Sequence, residues 1–375
     1  MADDLVVDAA LVRLPRGALD DWGVEALVLH VAADALSVEA ADVLRARVEA
    51  VRANRRALQG LLRIPKIEQR SPAWYAAREN LLTASDLAQA LGKGAYGSRL
   101  DLLLDKTKVK PRVFSAYVQT VILQHGVMFE EMALRAYTQA RGGVAVHEFG
   151  LLQHPTLGCF GASPDGITEL GTMIEIKCPF KRKIDGNIPI NYYYQMQGQM
   201  AVGGIGETDY VEAKFERYGG REAYLAAGAD AAEHGHGVTL RFLCNSATEY
   251  AHSPPWLTQA EAVAWADAAA GARLQADAGL DLLGMVYWRI TQLAIQRVAF
   301  DAEAWRSTLA PAIQAFHDDR TAMAARLQRG LPPYEGYAPK EAKEPKKRAV
   351  AEPQWIDDDE AAATAATVPD FEEED

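Results

Sequence analysis

The stretch Met173-Ile174-Glu175-Ile176-Lys177-Cys178 constrains this chain more than any other. It is apolar apart from two opposite charges set two residues apart. Side chains alternate across a strand, so Glu175 and Lys177 share one face and Ile176 takes the other. Charges on a half-buried strand are costly unless they have a partner or a task. Taken alone, Glu-x-Lys is most often a surface ion pair. Ten residues before Glu175 stands Asp165, inside Ala162-Ser163-Pro164-Asp165-Gly166-Ile167. Taken alone, Pro-Asp-Gly is a turn, with Pro164 fixing the approach and Gly166 relaxing the backbone after the acid. A hairpin joining the two segments brings Asp165 near Glu175. Two carboxylates, a strand carbonyl and waters then form an oxygen-rich site suited to Mg²⁺. Lys177 beside it orients a water and offsets negative charge developing at a phosphodiester.

Two further segments supply groups for such a site. Gly126-Val127-Met128-Phe129-Glu130-Glu131-Met132-Ala133 lies on a long helical pattern, and Glu130 is a third acid for the metal sphere. Adjacent glutamates on a helix are more commonly a solvated pair. Downstream, Asn191-Tyr192-Tyr193-Tyr194-Gln195-Met196-Gln197-Gly198-Gln199-Met200 places Gln195 and Gln199 on one helix face. A glutamine amide serves water, lysine or phosphate without adding charge. At least one of the three tyrosines reads as a core residue.

The net charge of −12 is unusual for a protein that handles phosphates, but its distribution matters more. From Ala349 onward there are ten acidic residues and no Lys or Arg, which leaves −2 for residues 1–348. Gly60 to Ser115 carries ten Lys/Arg against five Asp/Glu. A locally basic face on a near-neutral body is compatible with phosphate contacts. A solvated surface would look the same. No run of about 18 apolar residues occurs, so no membrane span is expected. The acidic start, Met1-Ala2-Asp3-Asp4, lacks the order of a signal peptide. Cys159, Cys178 and Cys244 are odd in number and widely spaced, which points to a reducing compartment without a disulfide framework.

Along the chain, residues 1–36 carry no motif. Ser37 to Leu62 reads as an amphipathic helix, with Val38, Leu44, Val48, Val51 and Leu58 near one face and Arg45, Arg47, Arg52, Arg55 and Arg56 elsewhere. Such a helix packs on the body; a basic arm on DNA is the other reading. Ser71-Pro72 opens a short helix through Arg78, and Thr83-Ala84-Ser85-Asp86 opens another that ends at Gly92. A long helix over 116–141 stops at Gly142-Gly143. Strands follow at 144–152, 158–162 and 172–178, then a helix at 192–202 and a strand at 209–217. Residues 219–237 read as loop or partial helix, and 238–244 as a strand. Thr258-Gln259-Ala260-Glu261 is a capping box opening a helix to about 278. Residues 285–300 form a long strand or hairpin, and 302–328 a terminal helix capped by Asp301. A meander followed by a crossover helix indicates an α/β fold with a mixed central β-sheet flanked by helices. This divides the chain into an N-terminal helical extension (1–65), a body (66–331) with an insertion at about 219–283, and a Lys/Pro-rich then acidic, disordered tail (332–375). In that tail, Lys346-Lys347-Arg348 resembles a nuclear-localisation cluster, and Trp355 in its acidic setting a docking peptide.

The ordered set of Asp165, Glu175-Ile176-Lys177, the upstream Glu130 and the downstream Gln195 resembles the PD-(D/E)XK nuclease superfamily. More closely it resembles the YqaJ-type viral recombinase or phage lambda exonuclease family. Ala73-Trp74-Tyr75-Ala76-Ala77-Arg78 with Leu82-Thr83-Ala84-Ser85, the 126–133 block, Ser163-Pro164-Asp165-Gly166, Glu175-Ile176-Lys177-Cys178-Pro179-Phe180 and Tyr194-Gln195-Met196-Gln197 carry that likeness over about 71–217. Residues 1–65, the 219–283 region and the tail have no counterpart. The resemblance implies a restriction-endonuclease-like core and a 5′-to-3′ exonuclease on duplex DNA ends, acting in recombination, replication or repair. It implies two Mg²⁺ ions, with Mn²⁺ able to substitute. Asp165, Glu175 and the Ile176 carbonyl then bind metal, Glu130 assists the second ion, Lys177 activates water and Gln195 supports it. Arg78, Ser85 and Ser163 hold a terminal 5′-phosphate, which has independent sense: Ser85 stands at a helix start that favours anions, and Arg78 grips phosphate bidentately. A single-strand annealing partner, a homotrimer and an intracellular, cytoplasmic or nuclear, virus-encoded setting are the remaining implications. The rivals are an endonuclease, junction resolvase or RecB-like nuclease using the same residues, and a non-catalytic recombination adaptor.

Overall fold

The computed structural model describes residues 2–14, 17–32, 40–95, 97–228, 232–245 and 247–337. The basic cluster at 346–348, Trp355 and the acidic stretch after 348 lie outside these residues. The chain opens with helices α1 (Ala2–Val12), α2 (Ala18–Asp21), α3 (Val24–Ala32) and α4 (Ala40–Leu61). Then come α5 (Pro72–Glu79), β1 (Leu82–Thr83), α6 (Leu87–Ala90), α7 (Arg99–Lys106) and α8 (Gln124–Ala140). The strands β2 (Val146–His147), β3 (Leu152–Gln153), β4 (Phe160–Ala162), β5 (Gly166–Thr168) and β6 (Met173–Lys177) lead to α9 (Ile190–Gly203) and β7 (Glu207–Tyr218). The last part holds α10 (Arg221–Ala226), β8 (His236–Cys244), β9 (Ala247–His252), α11 (Gln259–Ala276), β10 (Leu280–Ala299), α12 (Ala302–Ala304) and α13 (Ala310–Gln328).

Among the described residues the strands form one sheet of seven, ordered β2-β5-β6-β7-β10-β8-β9, and one of three, ordered β1-β4-β3. The large sheet is mixed. β6 and β7 run parallel, with Glu175 opposite Tyr210, because α9 carries the chain back across the sheet before β7 begins. The other pairs of that sheet are antiparallel. The expected α/β fold with a mixed central sheet and helices against it is therefore the fold observed. One apolar cluster joins Leu58, Leu87, Leu102, Phe160, Met173, Met196, Met200, Tyr210 and Phe316. Another joins Leu27, Leu44, Val48, Phe129, Ile174, Val211 and Trp288. Alternation along β6 sends Met173 to the first and Ile174 to the second, so each face of the sheet has its own core. Helix α4 contributes to both.

Several elements differ from their sequence signals. The long helix begins at 116 but runs through π-type turns over Val118–Leu123 before α8. The strand expected over 144–152 divides into β2 and β3, which belong to different sheets. At Gly150 the backbone of Ile67 crosses so closely that a Cβ would lie 1.8 Å from its carbonyl oxygen, and the chain changes sheets there. β10 is a single strand of 20 residues, bulged near Leu282/Gly284 and Ile290/Gln292, rather than a hairpin. The 219–283 region adds the β8–β9 hairpin and packs α10 and α11 over β8 around Tyr224, Phe242 and Ala266. Among the described residues no helix is long and apolar enough to cross a membrane.

Arg47 is the largest departure on α4. It is buried, and it donates to Asp8 at 2.7 and 2.8 Å and to Glu207 at 2.5 and 2.8 Å. Arg297 joins the same group through Asp8 at 2.8 Å and Asp209 at 2.9 Å, and Tyr137 and Arg141 reach Asp209 at 2.9 and 3.0 Å. Burial works to raise the Glu207 carboxyl, but the Arg47 hydrogen bonds and Arg297 hold it below its ordinary value. Removing one partner of a buried pair leaves an uncompensated charge. Arg47→Ala is therefore expected to destabilise the protein by about 3–5 kcal/mol in chemical denaturation at neutral pH. A depressed carboxyl contributes stability above its unfolded value and loses it as pH falls through the folded one. The difference between wild type and Arg47→Ala should then shrink as pH drops below about 4.5. A change under 1 kcal/mol at neutral pH would sink this account of the network.

Candidate active site

Strand β5 pairs with Met173 and Ile174 and then ends at Gly166. A Cβ at Gly166 would lie 2.5 Å from Val146 Cγ1, so the close approach of β2 requires glycine at this point. One residue earlier the chain turns away through Pro164-Asp165. The Asp165 carboxylate takes the place of the missing strand: its Oδ2 accepts the Ile176 amide at 2.7 Å. Amide and carbonyl of one strand residue point the same way, so the Ile176 carbonyl faces the same gap. The hairpin that joins Asp165 to the Glu175 strand is thus present.

Glu175 has no exposed surface. Its Oε1 accepts from Gln195 at 2.7 Å and its Oε2 from Gln199 at 2.6 Å, both on α9. The Lys177 ammonium pairs with Oε1 as well. Lys177 also lies 4.8 Å from the centre of the Tyr192 ring, whose other neighbour is the Arg182 guanidinium at 6.0 Å. Arg182 is anchored on buried Glu212. Burial works to lower the Lys177 ammonium, but the Glu175 and Asp165 carboxylates outweigh it and hold it well above its ordinary range. Burial, then Glu175 and Glu130, push the Asp165 carboxyl well above the usual carboxylate range. Burial likewise raises the Cys178 thiol, which removes it as a nucleophile.

Glu130 lies on α8, across a cleft of about 510 Å³ that it lines together with Asp165, Ile176, Gln69 and Arg70. Its carboxylate is paired with Arg70 at 2.9 Å. Among the described residues no three His, Cys, Asp or Glu side chains converge as a metal-ligating group. The donor chemistry nevertheless fits a hard divalent cation. The Asp165 carboxylate and the Ile176 carbonyl are oxygen donors at the cleft, the charges of Glu175 and Glu130 bear on Asp165, and Lys177 and Arg70 sit on Glu175 and Glu130 rather than on Asp165.

The residues assigned to a terminal phosphate also come together. Arg78 Nη2 donates to Thr83 Oγ1 and to Ser85 Oγ, each at 3.4 Å, and Thr83 and Ser85 share a hydrogen bond of 3.0 Å. The Arg78 guanidinium stacks 4.2 Å from the centre of the Trp74 ring. Trp74 Nε1 donates to Ser163 Oγ at 3.0 Å, which ties this group to the turn that carries Asp165. Burial lowers Arg78, with only the charge of Asp86 and Tyr75 opposing it; among the described residues no carboxylate forms an ion pair with it. Helix α5 is set by its Ser71 cap and Pro72. Two residues here, Trp74 and Thr83, stand out in the sequence only as members of a block; Gln199 is marked there beside Gln195, yet only the fold aims its amide at Glu175.

Residues 73–210 match the model of the YqaJ-like viral recombinase domain. An uncharacterized protein of Acanthamoeba polyphaga mimivirus is 32% identical over 194 residues, which is 47% of this chain and 34% of the viral protein. A protein of African swine fever virus is 29% identical over 180 residues, 40% of this chain and 50% of its own length. The chain therefore spans half or less of the curated relatives it matches. An alkaline exonuclease from Laribacter hongkongensis is similar at a TM-score of 0.43 and 23% identity, over 69% of this chain and 97% of its own.

The raised Asp165 carboxyl has a consequence for stability. An acid whose folded value lies above its unfolded one stabilises the protein at low pH and loses that contribution as pH rises through the folded value. At neutral pH without divalent metal, Asp165→Asn is expected to raise stability by about 0.5–2 kcal/mol, the common scale for relieving a strained functional site. Thermal unfolding of the two proteins measures this, and a lower Tm for the variant would contradict the repulsion described.

Proposed function

We propose that this protein is a metal-dependent deoxyribonuclease that shortens duplex DNA from its 5′ ends. The observation that carries the reading is the Trp74–Ser163 hydrogen bond. It joins the Arg78–Thr83–Ser85 cluster, through Trp74, to the turn that presents Asp165 beside the Ile176 amide. A cluster suited to a phosphate next to carboxylates and an ammonium suited to phosphodiester hydrolysis is what supports this reading.

Asp165, Glu175 and the Ile176 carbonyl hold the ion, with Glu130 serving a second. A bound Mg²⁺ supplies Lewis-acid polarisation of the phosphate and a nucleophile at neutral pH. Lys177, held charged by its carboxylates, donates rather than accepts. It orients the attacking water and offsets charge on the phosphate oxygens. Gln195 and Gln199 keep Glu175 in one rotamer. Arg78, Ser85 and Ser163 grip the terminal 5′-phosphate, and an Arg donates to phosphate through two parallel hydrogen bonds. Such a grip registers the scissile bond at a fixed distance from the end. The YqaJ-like domain supports the recombination setting, and the acidic net charge does not oppose it, because charge on the body is nearly balanced.

End-labelled duplex DNA with a 5′-phosphate or a 5′-hydroxyl tests the reading. Mg²⁺-dependent release from the 5′ end is expected, faster on the phosphorylated substrate. Lys177→Ala is expected to lower kcat by roughly 10²–10³-fold, the scale for removing one group aimed at developing charge. Arg78→Ala is expected to lower kcat/KM by about tenfold or more on phosphorylated ends only, as for a lost hydrogen bond to a charged group. Cutting of covalently closed circular DNA would rule out an end-dependent enzyme. Equal rates on both ends would remove the role given to Arg78, Ser85 and Ser163.

A further inference from the structure

Three consecutive residues at the mouth of the cleft touch three different parts of the site. Gln69 Nε2 donates to the Phe149 carbonyl at 2.9 Å and to the Pro164 carbonyl at 3.3 Å, beside Asp165. Arg70 Nη2 donates to Glu130 Oε2 at 2.9 Å. Ser71 caps α5, the helix that carries Trp74 and Arg78. The turn closes through the Ser71 amide on the Glu68 carbonyl at 3.2 Å. Arg70 stands in it at φ 64°, a left-handed conformation that favours glycine or asparagine. An arginine kept at a strained position points to a task for its side chain.

Glu130 and Asp165 line the same cleft, and the Glu130 charge acts on Asp165, yet Glu130 does not join Asp165 and Glu175 in a ligand group. Its carboxylate is turned to Arg70. We propose that Arg70 is a resident counterion for Glu130, which it holds at the rim until a divalent cation displaces the guanidinium and draws Glu130 to the Asp165 side. Arg70 is then a positioning residue: it acts on metal uptake through Glu130 and touches neither metal nor DNA. The same turn also holds Gln69 on the Pro164 carbonyl and the Ser71 cap of α5. Lys66 lines the cleft too, but it pairs with Glu148 at 3.0 Å and with Glu68 at 3.6 Å, so it neutralises the cleft without holding Glu130.

This inference rests on the metal-dependent reading above, and its test separates the two. Mn²⁺ alone is titrated into the metal-stripped full chain, without DNA, and free Mn²⁺ is read by electron paramagnetic resonance. Arg70→Asn suits the left-handed turn and removes the charge. It is expected to tighten Mn²⁺ binding about two- to five-fold, the scale of an exposed ion pair. Lys66→Ala is expected to change it by less. In a Glu130→Gln background Arg70→Asn is expected to have no effect. Unchanged affinity in Arg70→Asn, or equal tightening with and without Glu130, overturns the counterion role and leaves the metal site standing. If the wild type takes up no Mn²⁺, the metal reading falls and Arg70 with it.

Discussion

A carboxylate sealed inside the sheet is the condition on which this structure is arranged. Glu175 has no solvent of its own, and an ionised group there requires hydrogen bonds to both oxygens and a nearby positive charge. Helix α9 meets that need from above with Gln195 and Gln199, one turn apart, and Lys177 meets it from two residues along the strand. The helix must therefore sit close and in one register. Gly198 shows how close: a Cβ there would lie 2.9 Å from the Phe160 ring and 3.2 Å from Ala84 Cβ. The face of α9 that packs on the 84–87 turn is thus coupled to the face that holds Glu175. The turn in question carries Ser85. Packing that fixes the acid also fixes the segment that carries Ser85.

β7 solves the same problem in the other direction. Its alternation puts Glu207 and Asp209 among Arg47 of α4, Arg141 just after α8 and Arg297 of β10, and Tyr210 and Glu212 on the side of α9. Glu212 then anchors Arg182 against the ring that backs Lys177. A buried pair adds little net stability over an apolar pair, but it penalises any register in which a charge goes unmatched. Slipping β7 by one residue against β6 would face Glu212 and Asp209 to the wrong partners. The ionic groups therefore act mainly on which arrangement forms, while the apolar clusters on both faces supply most of the favourable free energy.

Much of this was legible where the signal is local. The strand at 173–177, the turn before it, the Ser71, Thr258 and Asp301 caps and the helix at 190–203 all follow from residues within a few positions of one another. The class of fold followed from their order. Arg47 was not legible, because its partners lie 39 and 160 residues away, and on a helical wheel it belongs with the surface arginines. The division of 144–152 depends on a backbone crossing from Ile67, which leaves no trace in the periodicity of that segment. Gln199 could be placed beside Gln195 by spacing, but its amide acquires meaning only when α9 crosses Glu175. Glu130 reads from the sequence as one of two equivalent helix glutamates; the Arg70 turn, 60 residues away, distinguishes it from Glu131, which pairs instead with Arg135 on its own helix.

The acids in and behind the cleft are held by partners of unlike strength. The charges of Glu175 and Glu130 add to burial in pushing the Asp165 carboxyl up, and the three acids have unlike partners: a backbone amide for Asp165, an ammonium and two side-chain amides for Glu175, and a half-exposed guanidinium for Glu130. Those partners differ in how firmly they hold. The amide of Ile176 is part of the strand and cannot leave, so Asp165 stays in place whatever else occurs. Lys177 is tethered two residues from its partner and moves only within its own rotamers. Arg70 is on a surface turn, where an ion pair is screened and weak. On the proposed metal-dependent reading, a cation arriving between the acids would meet the firmly held groups first and displace the surface ion pair last.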